Sequence, residues 1–192
     1  MKGCRALTRN EIRAVLSLND NKRNNALVAV GFATGYRISE LLSLRIKDVA
    51  DIHGRIFDNV HVAHTKNGSG RSVSLNSTAK KALAKRVSEL FKGGFNMDTP
   101  IFGGRTNQGL KAITRQMGAK IIKRLFELAK VIGGKLATHS LRKTFAAKMK
   151  DIFKSDYHKI QQALGHKSIV STMAYMSVDD DEIQSAIAAV SY

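Results

Sequence analysis

Tryptophan is absent from this chain of 192 residues, cysteine and proline occur once each, and aromatic residues make up only 6%. With Cys4 alone, neither an internal disulfide framework nor a cysteine-based zinc site can form, which fits a reducing cytoplasm. The scarcity of aromatic rings leaves few platforms for stacking the bases of single-stranded RNA. No apolar run approaches the roughly 18 residues of a membrane span. Met1-Lys2-Gly3-Cys4-Arg5 leads into a polar segment without the apolar core of a signal peptide. There is no internal repeat, low-complexity tract or Pro/Ser-rich linker, and the length suits one substantial core. A single domain over 1–192 is therefore expected.

Positive charge is what the chain has in excess. Lys and Arg number 32 against 15 Asp and Glu, a formal charge of +17. Such a balance favours a polyanionic partner, with nucleic acid the leading candidate. An anionic lipid surface is the competing reading, but the basic residues are spread along the sequence and no amphipathic anchor stands out.

The hydrophobic pattern predicts a mostly helical α+β fold with one small antiparallel hairpin. Thr8 is placed to cap a helix over Arg9–Ser17 with Ile12, Val15 and Leu16 inward. Asn24 to Thr34 reads as an apolar helix that Gly35 ends in a left-handed cap. A third helix starts near Arg37, burying Ile38, Leu41 and Leu42 and setting Arg37 and Glu40 three apart, close enough to pair. Residues 59–64 and 71–75 alternate as strands around the Asn67-Gly68-Ser69-Gly70 turn. Ser77 is expected to cap a basic helix to about Phe91, and a long helix to run from about Gln108 to Val131 with a break near Gly118. Thr138 is expected to cap the helix bearing His139 and Arg142, Ser155 to cap one ending at Gly165, and Ser168 to open a short one containing Tyr175. A last helix of about 179–190 starts from Ser177-Val178-Asp179-Asp180, a capping-box-like pattern.

Attack on a phosphodiester by a side chain needs a nucleophile, a route for its proton, cationic donors around the five-coordinate phosphorus and an acid for the leaving oxygen. Arginine suits the donor role because its planar fork holds two oxygens and stays charged. Arg37 and Arg142, each near a helix N-terminus, could grip one phosphate from different helices. His139 and Arg142 share a helix face at i, i+3. Taken singly, each residue has an ordinary explanation. An HxxR pair arises by chance, His166 could simply end a helix, Lys66 could be a solvated hairpin lysine, and Tyr175 a half-buried aromatic. Their joint occurrence in order is what carries the inference.

That order resembles the tyrosine recombinase (phage integrase) family over roughly Arg9 to Val190. Thr34-Gly35-Tyr36-Arg37-Ile38-Ser39-Glu40-Leu41-Leu42-Ser43-Leu44 is similar to the family's first box. His139-Ser140-Leu141-Arg142-Lys143-Thr144-Phe145-Ala146, Leu164-Gly165-His166-Lys167-Ser168 and Thr172-Met173-Ala174-Tyr175 are similar to its second. Lys66 and Arg71 match the hairpin lysine and the basic strand after it. The resemblance implies a site-specific DNA recombinase in which Tyr175 is the nucleophile and forms a 3′-phosphotyrosyl link. Arg37, Arg142 and His166 would then stabilise the phosphorane, His139 assist proton transfer, Lys66 protonate the leaving 5′ oxygen, and Glu40 hold Arg37. Arg45, Lys47, Arg71, Lys143 and Lys167 are expected to meet DNA. Only Tyr175, among the four tyrosines, stands at the family spacing from His166.

The resemblance implies no metal and no nucleotide cofactor. Its partners would be double-stranded DNA, three further copies in a tetramer on paired sites, and accessory DNA-bending proteins, in the cytoplasm, for a protein of bacterial or phage origin. Most family members also carry an N-terminal helical clamp, which nothing in this sequence supplies. The chain is then either a catalytic fragment or one of the compact recombinases, with DNA affinity resting on phosphate neutralisation and steeply salt-dependent. The apolar stripe Ile183, Ala186, Ile187 and Val190 either docks on a neighbouring subunit or folds back on its own core. A DNA-binding module that does not cleave is the alternative of a different class.

Overall fold

The computed structural model of the chain describes residues 3–18, 21–62, 70–104, 109–175 and 188. It divides into two compact units, Met1–Phe145 and Ala146–Tyr192. Among the described residues the fold is mostly helical with one two-stranded antiparallel sheet.

The first unit begins with α1 (Arg9–Ser17). The Thr8 hydroxyl accepts from the Glu11 N–H, and the Glu11 carboxylate accepts from the Thr8 N–H at 2.8 Å, a closed capping box. α2 (Lys22–Thr34) is apolar on nearly every side because it is the central helix, with Ala26, Leu27, Val28 and Val30 all buried. It begins two residues before the expected Asn24 because Asn21 supplies the cap, its side chain accepting from the Asn24 N–H at 2.9 Å. Short helices α3 (Ile38–Ser43) and α4 (Ile46–Val49) follow, then β1 (Asn59–Val62) and β2 (Arg71–Ser74), paired with Asn59 opposite Ser74 and Val62 opposite Arg71.

α5 (Ser77–Lys92) packs along α2 through Ala79, Leu83, Val87 and Leu90. Its cap is Asn76 rather than Ser77, the Asn76 side chain accepting from the Ala79 N–H at 2.9 Å. α6 (Arg115–Leu128) is shorter than the expected 108–131 helix and runs through Gly118 unbroken. Before it, Gly103 bridges Ala112 and the Ile113 N–H donates to the Phe102 carbonyl at 2.9 Å. These backbone bonds compete with helix, so α6 starts only after its cap, Thr114.

α7 (Thr138–Ile152) contributes Leu141 and Phe145 to the first unit's interior. In the second unit, α8 (Tyr157–Leu164) packs on α9 (Ile169–Tyr175). The α8 cap is Asp156, not Ser155, its carboxylate accepting from the His158 and Lys159 N–H groups. The expected strand residues 63 and 64, the turn residues 67–69 and the C-terminal stripe lie outside the described residues. No helix among the described residues is long and apolar enough to cross a membrane.

Candidate active site

In the first unit the site is organised by the turn from Thr34 to Arg37 that joins α2 to α3. Gly35 ends α2 at φ +60°, and a Cβ added there would lie 2.4 Å from Cδ1 of Phe145. Glycine is therefore required by both backbone and space. The Thr34 hydroxyl donates to the Val30 carbonyl at 2.8 Å and accepts from the Tyr36 N–H at 3.2 Å, fixing the exit from the helix.

Arg37 caps α3 and is held by one carboxylate at two points. Its backbone N–H donates to Glu40 Oε2 at 2.7 Å and its Nη1 to Oε1 at 2.8 Å. Glu40 is only 4% exposed whereas the Arg37 side chain is 25% exposed, so the pair is anchored inside and presents its cation outward. This is the i, i+3 pair that the spacing predicts.

Arg142, in the second turn of α7, is 2% exposed, and its Nη1 donates to the Gly35 carbonyl at 2.7 Å. His139 stands one turn earlier on the same face and reaches the surface. Partial desolvation, followed by the charges of Arg142 and Arg37, holds its pKa below the ordinary 6.5. The neutral imidazole, the form that can accept a proton, is thereby favoured at neutral pH. Arg37, Glu40, His139 and Arg142 thus gather about one turn.

In the second unit, Gly165 ends α8 at φ +62° and His166 follows. The His166 N–H donates to the Gln161 carbonyl at 3.1 Å, and Gln161 Nε2 returns a bond to the His166 carbonyl at 3.0 Å. Its Nδ1 lies 3.0 Å from the hydroxyl of Thr172, a fully buried residue of α9 three positions before Tyr175. The imidazole is consequently oriented by the helix that ends at Tyr175. Lys66 lies outside the described residues.

The residues expected to meet DNA are placed variously. Arg45 caps α4 and donates through Nη1 to the Asp98 carbonyl, and Lys47 Nζ is 2.6 Å from Asp98 Oδ1. Both border a cleft with Phe57, Asn59 and His61. Lys167 is exposed after α8, and Lys143 is half-buried on α7. Arg71 departs from expectation, because its guanidinium turns inward over the Tyr36 ring, 4.6 Å from the centroid. Sequence reasoning missed this contact, and it also missed Thr172. Tyr36 gave a signal only by its place beside Arg37. Among the described residues, no group of three or more His, Cys, Asp or Glu side chains is arranged to hold a metal ion.

Residues 5–182 match the phage integrase family. The chain is 31% identical over 186 residues to tyrosine recombinase XerC of Roseiflexus sp. (strain RS-1), covering 91% of this chain and 56% of that protein. It is 32% identical over 180 residues to tyrosine recombinase XerD of Oceanobacillus iheyensis, covering 90% and 57%. It therefore spans little more than half the length of these curated relatives. Among solved structures, XerA recombinase superposes with a TM-score of 0.77 at 25% identity, covering 97% of this chain and 64% of that one. XerH site-specific recombinase, bound to a palindromic difH substrate in a post-cleavage complex, shares the fold with a TM-score of 0.73 at 23% identity, covering 96% and 53%.

Proposed function

We propose that this chain, which belongs to the phage integrase family, is the catalytic part of a site-specific recombinase that breaks and rejoins double-stranded DNA. The observation that carries the reading is the gathering of Arg37, Arg142 and His139 about the Thr34–Arg37 turn, with Glu40 fixing Arg37 from inside. Two guanidiniums and a neutral imidazole are what a phosphodiester under attack requires, namely charge for the non-bridging oxygens and a base for the incoming hydroxyl.

The phenolic oxygen of Tyr175 attacks the scissile phosphorus, its proton leaving by way of His139, while the bond from phosphorus to the 5′ oxygen breaks. Arg37, Arg142 and His166 stabilise the phosphorane, and Lys66 returns a proton to the departing 5′ oxygen. The 3′-phosphotyrosyl bond conserves the energy of the phosphodiester, so a 5′ hydroxyl can reverse the step without ATP. Arg45, Lys47, Lys143 and Lys167 neutralise flanking phosphates, a role that suits a chain of charge +17. The whole of 1–192 works as one catalytic domain in a tetramer on paired sites, with accessory DNA-bending proteins and, at its end, the 179–190 segment reaching a neighbouring subunit.

The test is covalent trapping. The chain is mixed in EDTA with duplexes from the DNA flanking its gene, nicked near the candidate cleavage point so that the broken end diffuses away. Adducts that survive SDS support the reading. Salt-sensitive DNA binding without adduct, across the whole flanking set, favours a module that binds without cleaving.

A further inference from the structure

The turn that carries Arg37 is gripped from behind by the hairpin. Tyr36, 1% exposed, places its hydroxyl 2.8 Å from the carbonyl oxygens of both Val60 in β1 and Arg71 in β2. Burial pushes this hydroxyl up to about 12, so it stays protonated and always has its one hydrogen to give to one of the two. The Arg71 guanidinium stacks back over the Tyr36 ring, and its Nη2 donates to the Thr34 carbonyl. Arg142 holds the next carbonyl, that of Gly35. Two guanidiniums thus pin consecutive carbonyls of the turn from which Arg37 projects.

Arg71 Nε and Nη1 are buried with no hydrogen-bond partner among the described residues, and taking a cation out of water carries a desolvation cost. What arginine supplies, and an apolar chain cannot, is a directed hold on the Thr34 carbonyl together with a flat face for the Tyr36 ring.

We infer that Tyr36 and Arg71 are positioning residues, clasping the hairpin to the Thr34–Arg37 turn so that Arg37 and Arg142 are aimed at one phosphate. Arg71 on this account meets the turn and not DNA. The catalytic consequence rests on the strand-exchange reading, but the geometric claim does not, so the two can fail separately.

The experiment uses the full chain with Tyr36→Phe, which keeps the ring and removes the hydroxyl, and with Arg71→Lys and Arg71→Met. The first readout needs no DNA reaction: nitrogen-15 relaxation of the Nε–H groups of Arg37 and Arg142. In the Arg71 variants both should lose order while the backbone amide signals of α3 and α7 stay in place. The second is the rate of adduct formation at saturating nicked duplex. It should fall about tenfold or more in the Arg71 variants and severalfold in Tyr36→Phe, with DNA affinity changed less than twofold. A neutral methylphosphonate at the scissile position needs less of the cationic clamp and should narrow the deficit, whereas a general loss of structure would leave it unchanged. Wild-type order at both arginines in every variant overturns the inference, as does a wild-type rate in a variant whose arginines have loosened. Loosened arginines in a chain whose wild type never forms an adduct would support the clasp and refute the strand-exchange reading.

Discussion

Arg142 donates to the carbonyl oxygen of Gly35 across 107 residues of sequence, and that one bond joins the two boxes from which the site is read. The carbonyl it uses belongs to a residue at φ +60° whose missing side chain leaves room for the ring of Phe145. Gly35→Ala combines left-handed strain with a clash against that ring. It should destabilise the chain by about 2–4 kcal/mol, measured by urea denaturation. A loss below about 0.5 kcal/mol would show that the turn relaxes freely and that the bond to Arg142 does not depend on it.

His139 should titrate below the ordinary histidine range, because desolvation and the charges of Arg142 and Arg37 all oppose its protonation. Carbon-13 chemical shifts of the ring followed against pH give the midpoint directly. Arg37→Gln removes one of the two charges and should raise it. An activity that uses neutral His139 as base will therefore persist as pH falls through 6.5 and decline only below the depressed midpoint. A midpoint at or above 6.5, unmoved by Arg37→Gln, contradicts the proximity of the three groups.

The N-terminal segment is tied down by Arg5, whose Nη1 and Nη2 meet Glu11 at 2.8 and 2.5 Å and whose Nε donates to the Gly133 carbonyl at 2.7 Å. The Arg5 guanidinium, aided by the Thr8 N–H, holds the Glu11 carboxyl down to about 2. A carboxylate depressed on folding stabilises above its unfolded value and loses that contribution as pH falls toward the folded one. Glu11→Gln should cost about 1 kcal/mol at pH 7, allowing for solvent around the pair, and close to nothing at pH 2. Equal costs at both pH values would mean that the Glu11 charge contributes no stability.

Phosphate neutralisation is checked by salt. Lys47→Ala and Lys167→Ala should each lower the slope of log affinity against log salt by about 0.9 without changing sequence preference. Lys47 already pairs with Asp98 at 2.6 Å, so Asp98→Ala should strengthen DNA binding by freeing that cation. Unchanged slopes would remove both lysines from the DNA-binding surface.

How much of this was legible in the sequence depended on distance along the chain. The Thr8 cap, the Gly35 cap and the Arg37–Glu40 pair are local patterns, each closed within four residues, and each formed as its spacing predicts. Caps at 76 and 156 were each misplaced by one position because two adjacent polar residues compete and only one has its oxygen aimed at the free N–H groups. The start of α6 was misread for a non-local reason: residues 111–113 bond to 102–104, and no periodicity reveals that. The same limit hid the clasp, since Tyr36 and Arg71 lie 35 residues apart and each already had a reading within its own motif.

The residue that attacks the phosphodiester can be identified chemically. A nicked duplex labelled on the 3′ side of the break is reacted with the chain in EDTA, digested with protease and nuclease, and the modified peptide sequenced by mass spectrometry. The expected product is a nucleotide joined through its 3′ phosphate to Tyr175, with no adduct at all from Tyr175→Phe. A nucleotide on Tyr36, Tyr157 or Tyr192, or an adduct that persists in Tyr175→Phe, would contradict it.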